Sequence, residues 1–205
     1  MEMAPGAIHL PRYLQIDRQK ALVDICRALV DGDMPAYIPV VRGKGKMHVR
    51  MLCLGRHWNG QSYRYEPTRT DFDQRPAPLL PAELRTLAME VAASAGMSFE
   101  PDLCILNYYG PEGRMGLHQD KDETQASLER GLPVVSVSLG DTARFLFGGS
   151  RRRDRVASMP LESGDGFVFG GPARLCYHGV SRILPGTAPP ELDLEGRFNL
   201  TFRQY

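Results

Sequence analysis

The segment Gly196-Arg197-Phe198-Asn199-Leu200-Thr201-Phe202-Arg203-Gln204-Tyr205 alternates without a break. Successive side chains of a strand point to opposite sides, so Arg197, Asn199, Thr201 and Arg203 share one face and Phe198, Leu200 and Phe202 the other. The apolar face suits packing beneath a layer of helices. The polar face has two places to go. One is solvent, as on an ordinary edge strand. The other is the inside of a barrel, where four buried polar groups are costly unless they hold a polar ligand.

The chain upstream favours the barrel. From residue 102 onward, short apolar runs separated by Gly and Pro turns recur at 102–109, 115–118, 133–140, 143–147, 156–161, 166–169, 174–178, 181–184 and 197–203. Many short strands at this spacing, with no helical periodicity between them, indicate an all-β sandwich or barrel. The first hundred residues differ. Over 15–31, Ile16, Leu22, Ile25, Leu29 and Val30 lie on one helical face, with Gly32 as a stop. Pro81-Ala82-Glu83-Leu84 opens a second helix running to about Ala95, with Gly96 past its end. Between the helices, 32–46 reads as a loop, 47–54 as a strand, Gly55 to Gly60 as a turn, Tyr63-Arg64-Tyr65 as the return strand of a hairpin, and 66–80 as a connector. The expected fold is mainly β with an N-terminal α/β extension: residues 1–100 built onto a β-barrel of 101–205, as one compact unit.

With 205 residues, 42% hydrophobic and 24% charged, the chain can bury a sizeable core without disulfides. A formal net charge of +1 excludes a wholly basic nucleic-acid binder but permits a local basic patch. Cys26, Cys53, Cys104 and Cys176 form no C-x-x-C pair and read as reduced, buried thiols. The start has no basic segment followed by an apolar one, and the longest apolar stretches fall far short of the ~20 residues a membrane span needs. No signal peptide, no membrane association and a cytoplasmic location are therefore expected.

The run Leu117-His118-Gln119-Asp120-Lys121-Asp122-Glu123 places a His and an Asp two apart, the spacing that puts both on one face of a strand and turns Gln119 away. His178-Gly179 follows at the end of the strand-like Leu175-Cys176-Tyr177. Two imidazoles and one carboxylate are the ligand set of a non-haem Fe(II) centre that keeps open coordination positions. Ligand hardness favours Fe(II) or Mn(II) over zinc. His9, His48 and His57 have no such setting and read as surface residues. Two arginines on one strand face, Arg197 and Arg203, suit a dicarboxylate, because guanidinium groups bind carboxylates bidentately.

Several further segments add to these motifs: Asn107-Tyr108-Tyr109-Gly110-Pro111, Val135-Ser136-Val137-Ser138-Leu139-Gly140, Phe147-Gly148-Gly149 and Gly170-Gly171-Pro172-Ala173-Arg174-Leu175-Cys176-Tyr177-His178-Gly179-Val180. Together with the HQDKDE and RFNLTFRQ runs they resemble the AlkB family over roughly residues 47–205. That family comprises Fe(II)- and 2-oxoglutarate-dependent dioxygenases that repair alkylated nucleic-acid bases. The resemblance implies a double-stranded β-helix (jelly-roll) core with supporting helices and a nucleotide-recognition lid at about 36–75. It implies that His118, Asp120 and His178 bind iron. It implies that Arg197 pairs with the distal carboxylate of 2-oxoglutarate, that Asn199 and Arg203 lie near its other end, and that Asn107 and Tyr109 hydrogen-bond it. Met51, Tyr63 and Tyr65 fall in the lid, Asp122 near the damaged base, Ser136 in the site lining and Arg152 on the substrate.

The family's lid carries a tryptophan seven residues before the first tyrosine of its Y-x-Y, a position held here by Arg56. Trp58, two residues on, is the aromatic candidate for stacking on the base, beside Tyr63 and Tyr65. Lys44, Lys46, Arg50 and Arg56, and Arg151-Arg152-Arg153 with Arg155, are candidates for phosphate contacts. The implied activity is oxidative demethylation of bases such as N1-methyladenine and N3-methylcytosine in single- or double-stranded DNA, with RNA as a further substrate, by a monomer. A dioxygenase acting on RNA, protein or lipid, or a metal-binding jelly-roll module without turnover, stays open as an alternative.

Overall fold

A computed structural model describes residues 1–205. In chain order the strands are β1 (Glu2–Ala4), β2 (Ala7–Leu10), β3 (Val40–Val41), β4 (Gly45–Lys46), β5 (Arg50–Leu54), β6 (His57–Asn59), β7 (Arg64–Glu66), β8 (Leu103–Tyr109), β9 (Met115–His118), β10 (Val134–Gly140), β11 (Thr142–Phe147), β12 (Ala157–Leu161), β13 (Gly166–Phe169), β14 (His178–Leu184) and β15 (Arg197–Arg203). The helices are α1 (Ile16–Val30), α2 (Ala82–Ser94) and α3 (Gln125–Glu129).

Seven strands form one antiparallel sheet in the order β1-β2-β13-β10-β15-β8-β5, and four form a second in the order β12-β11-β14-β9. The two sheets make the jelly roll. Between them lies a cluster rich in aromatics, with Tyr109, Phe145, Phe147, Phe167 and Phe169. On the outer side of the large sheet, Phe198, Leu200 and Phe202 of β15 meet Leu22, Val23 and Cys26 of α1 and Leu84, Leu87 and Val91 of α2. The alternation of β15 is thus resolved as the sequence suggests: its apolar side supports the helices and its polar side faces inward. Burying one such aliphatic or aromatic side chain contributes about 1.5–3 kcal/mol, so this layer fixes β15 in place beneath the helices. No helix is long and apolar enough to cross a membrane, and all four cysteines are buried and unpaired.

Several local expectations need correction. β5 does not fold back on Tyr63-Arg64-Tyr65; it pairs with β8 at the edge of the large sheet. The hairpin is β6 with β7, so residues 57–59, expected in a turn, are a strand. The reason is Gly55. Its φ is +82°, and a Cβ there would lie 2.0 Å from the Asp102 carbonyl oxygen. The chain therefore leaves the sheet sharply at Gly55 and starts a separate hairpin. The 32–46 loop contains the small β3–β4 hairpin. The runs 174–178 and 181–184 are not two strands: Gly171–Ala173 is a 3-10 turn, and one strand, β14, begins at His178. The segment 124–133 holds α3, capped by Thr124, whose Oγ1 accepts from the Ser127 amide at 3.2 Å. His9 and His57 are buried rather than on the surface, because each meets a carboxylate: Asp165 at 2.9 Å and Asp71 at 2.5 Å.

Candidate active site

β9 and β14 are neighbours in the smaller sheet, and His118 and His178 are register partners across them. Gly179 permits this approach, since a Cβ there would lie 2.6 Å from the Met115 carbonyl oxygen. β9 ends at His118. Asp120 therefore stands in the following loop rather than on the strand face, and reaches the same point from there. His118 Nε2 lies 3.7 Å from Asp120 Oδ1, and His178 Nε2 lies 3.5 Å from Asp120 Oδ2. One ligand atom from each residue falls within 4.8 Å of the others. Gln119 turns away and donates to the Leu175 carbonyl at 2.6 Å.

Both imidazoles are pre-set as metal ligands. Nδ1 of His118 lies 2.9 Å from the Gly116 carbonyl and Nδ1 of His178 lies 3.0 Å from that of Cys176. A carbonyl can only accept, so each Nδ1 carries the proton and each Nε2 lone pair is free. Burial, reinforced by the neighbouring His178, pushes the His118 imidazole down to about 4, with Asp120 opposing the shift. It is neutral, as ligation requires. Burial works to raise the Asp120 carboxyl, but the Arg203 guanidinium and the two imidazoles hold it well below the usual carboxylate range. Its buried Oδ2 has no aligned hydrogen-bond donor, although Arg203 Nη2 lies 2.6 Å away. Two free imidazole nitrogens and an ionised carboxylate converging on one point fit a divalent metal of the Fe(II) type.

Arg197 is the second unfinished group. It is 1% exposed. It donates to Ser138 Oγ at 2.6 Å and to the Leu161 and Asp141 carbonyls at 3.1 and 3.3 Å, while its Nε has no partner. No carboxylate of the chain pairs with it, and burial draws its pKa down to about 10. A buried, unpaired guanidinium is costly, and the carboxylate of a bound 2-oxoglutarate fits the vacancy in its charge balance.

A cavity of about 490 Å³ opens over the metal ligands. Met51, Asn107, Tyr109, Ser136, Asn199 and Arg203 line it. Arg197 does not; it lies further along the same strand face. Asn107 leaves Oδ1 buried without a partner, and Asn199 donates to Ser136 Oγ at 2.8 Å. Tyr109 is buried, its hydroxyl 3.9 Å from Met115 Sδ. The rim carries Trp58, Tyr63, Asp122 and Arg152. Trp58 Nε1 donates to Asp122 Oδ2 at 2.7 Å, and burial raises the Asp122 carboxyl despite that bond. The Trp58 and Tyr63 rings meet edge to face at 6.0 Å. Tyr65 also lines the cavity, but deeper, buried at the base of the lid with its hydroxyl 3.0 Å from Arg203 Nη1.

Of the basic residues singled out in the sequence, Lys44, Lys46 and Arg152 reach the rim, where Arg114 and Lys121 join them. Arg50 instead approaches Asp31 at 3.8 Å, Arg56 covers the Tyr205 ring at 4.2 Å, and Arg151 pairs with Asp154 at 2.9 Å. Sequence reasoning missed Glu123 and Arg174, a buried pair at 2.9 Å beside the metal ligands. Both stand in the quoted motifs. For Arg174 the available signal was a charged residue inside an otherwise apolar turn; Glu123, in a run of charged residues, carried none.

The model of the 2OG-Fe(II) oxygenase superfamily matches residues 6–203. The chain belongs to that superfamily. Within it the chain is of the AlkB type: it is 39% identical to the alpha-ketoglutarate-dependent dioxygenase AlkB of Salmonella typhimurium over 205 residues, covering 98% of this chain and 91% of that one. It is 43% identical over 222 residues to the DNA N(6)-methyladenine demethylase ALKBH1C of Arabidopsis thaliana, covering 98% of this chain and 49% of the relative. The chain thus spans about half the length of such Arabidopsis relatives. The solved structure of OsALKBH1 superposes with a TM-score of 0.93 at 40% identity, covering 100% of this chain and 99% of that one. For this AlkB-type oxygenase the family cofactors are Fe(II) and 2-oxoglutarate, and the unfinished groups described above fit both.

Proposed function

We propose that this oxygenase removes alkyl groups oxidatively from bases in DNA. The observation that carries the proposal is the layout of the site: a three-ligand metal centre, a buried arginine with no carboxylate partner further along the strand face, and a cavity of about 490 Å³ whose lining includes the exposed cations Lys44, Lys46, Arg114, Lys121 and Arg152.

When bound, Fe(II) with 2-oxoglutarate and O₂ supplies the oxidising power for hydroxylation of an N-alkyl carbon, with succinate, CO₂ and, from an N-methyl group, formaldehyde as products. The chain supplies the rest. His118, Asp120 and His178 hold the metal. Arg197 takes the distal carboxylate of the co-substrate, and Asn107, Tyr109 and Asn199 orient its length. A base inside a duplex cannot reach the cavity floor and must be turned out of the stack or presented single-stranded. The lid of residues 36–75 receives it: Trp58 and Tyr63 offer aromatic faces, and Asp122 offers a carboxylate to a cationic ring such as N1-methyladenine or N3-methylcytosine. The basic rim carries phosphates, and in a chain of near-neutral total charge a local patch of this kind is needed for binding at physiological salt. The reading includes action as a monomer in the cytoplasm.

The test is formaldehyde and succinate release from single-stranded DNA containing N1-methyladenine, N3-methylcytosine or N6-methyladenine, with an RNA arm beside it. Release from the first two supports the proposal. A second reading has N6-methyladenine as substrate, in line with the name of the Arabidopsis relative; release from that oligonucleotide alone would select it. Succinate without formaldehyde on every arm removes both.

A further inference from the structure

Behind Asp120 lies a closed group of charges that the chemistry above does not use. Glu123 is buried, its side chain entirely out of solvent. Arg174 Nη2 meets its Oε2 at 2.9 Å, and Arg203 Nε meets its Oε1 at 3.2 Å. Each arginine also reaches the metal ligand. Arg203 Nη2 lies 2.6 Å from Asp120 Oδ2, and Arg174 Nη1 donates to the Asp120 main-chain carbonyl. Two carboxylates and two guanidiniums therefore balance, with Glu123 touching both arginines and both arginines touching Asp120.

We propose that Glu123, through Arg174 and Arg203, is the positioning residue that sets the metal-binding carboxylate. The need for one follows from local structure. Asp120 stands beyond the end of β9, so no ladder of backbone hydrogen bonds fixes it, whereas His118 and His178 sit on paired strands. Arg174 holds the main chain of Asp120 and Arg203 its side chain, and each guanidinium has Glu123 as its second anchor. Burying four charges is expensive, and removing one partner leaves another uncompensated. The arrangement is understandable where the geometry of one carboxylate matters more than stability. The two arginines of β15 differ: Arg197 has no carboxylate partner in the chain, while Arg203 contacts Asp120 and Glu123 and also lines the cavity. Outer partners of metal ligands typically set affinity by 10–100-fold.

The inference rests on the metal-site reading, and the experiment separates the two. Anaerobic calorimetric titration with Fe(II), and with Mn(II) as a redox-stable probe, is run on wild type, His118→Ala, Glu123→Gln, Arg174→Lys and the double variant Glu123→Gln/Arg174→Met, with far-UV circular dichroism as the check on folding. Glu123→Gln is expected to weaken metal binding roughly 10–100-fold and to shift the visible absorption of the Fe(II)–2-oxoglutarate complex. The double variant restores the charge balance but not the anchoring, so it is expected to stay weak. Recovery of wild-type affinity in it would show that excess charge alone was at fault and would overturn the positioning role, as would Glu123→Gln binding within twofold of wild type. If Glu123→Gln does not fold, Arg174→Lys, which keeps the charge and loses the fork, decides: weakened affinity supports the role, and unchanged affinity refutes it. Tight binding by His118→Ala would instead sink the metal-site reading itself.

Discussion

The metal centre and the lid are built in opposite ways. The co-substrate side of the centre, with Arg197 and Asn199, rests on long paired strands: β15 has β8 on one side and β10 on the other, each in register over six or seven residues. Its helix-facing side is locked by the largest core cluster. The lid carries two hairpins with strands of two or three residues each, on either side of β5 at the edge of the large sheet. Irregular backbone bonds such as Arg42 N–H to the Gly60 carbonyl and Arg69 N–H to the Arg75 carbonyl hold it, together with side chains: Arg69 lies against the rings of Tyr37 and Phe72 at 5.6 and 4.9 Å, and His57 joins Asp71 and Tyr37. Two contacts tie it to the chemistry, Trp58 to Asp122 and Tyr65 to Arg203. A rigid frame suits a centre whose ligands must be placed to within about 0.5 Å. A segment of short ladders and irregular loops belongs to the low-stability end of a fold, where binding loops are found.

If the two regions divide chemistry from recognition, variants should sort accordingly. The largest effect is expected from His118→Ala, which removes a ligand and should take succinate formation below detection with or without DNA. Arg197→Met should come next. Losing a charge-assisted pair worth roughly 2–3 kcal/mol should raise the KM for 2-oxoglutarate about 30–150-fold while leaving metal affinity in place. Loss of metal as well would mean that the arginine supports the whole barrel rather than the co-substrate.

Trp58→Ala acts on the lid. Stacking contributes about 1–3 kcal/mol per base, so affinity for methylated single-stranded DNA should fall about 5–150-fold, with the KM for 2-oxoglutarate unchanged. Lys44→Ala and Lys46→Ala should each cost only a few-fold and lower the slope of log affinity against log salt by about one. An unchanged slope would place those lysines off the path of the backbone. The smallest effect is in acid stability without metal. His118 is held down to about 4 against an unfolded value near 6.5. The unfolded chain therefore takes up this proton first, and stability present above pH 6.5 is lost as pH falls toward 4. His118→Asn should make that decline shallower in urea titrations at stepped pH.

The same contrast explains what could be read from the sequence. The barrel was legible because period-2 alternation reports which face is buried, and β15 carried both the core pattern and the polar face. The ligand set was legible because few residue types bind metal. The lid was not, because its strands are too short to show a period, and its fold depends on one glycine, Gly55, whose constraint comes from Asp102, far along the chain. His57 looked like a surface residue because nothing local reveals that Asp71 will cover it. Glu123 and Arg174 stood in view, but their partnership spans 51 residues (174 − 123) and exists only in the folded chain.

The most direct measurement is the ratio of formaldehyde to succinate on methylated single-stranded DNA, taken for wild type and Trp58→Ala. Separate seats for chemistry and recognition predict close to one formaldehyde per succinate in wild type, and a ratio that falls in the variant while its rate of succinate formation without DNA is kept. Equal loss of succinate formation with and without DNA, at an unchanged ratio, would contradict the account, because the lid residue would then be part of the catalytic frame.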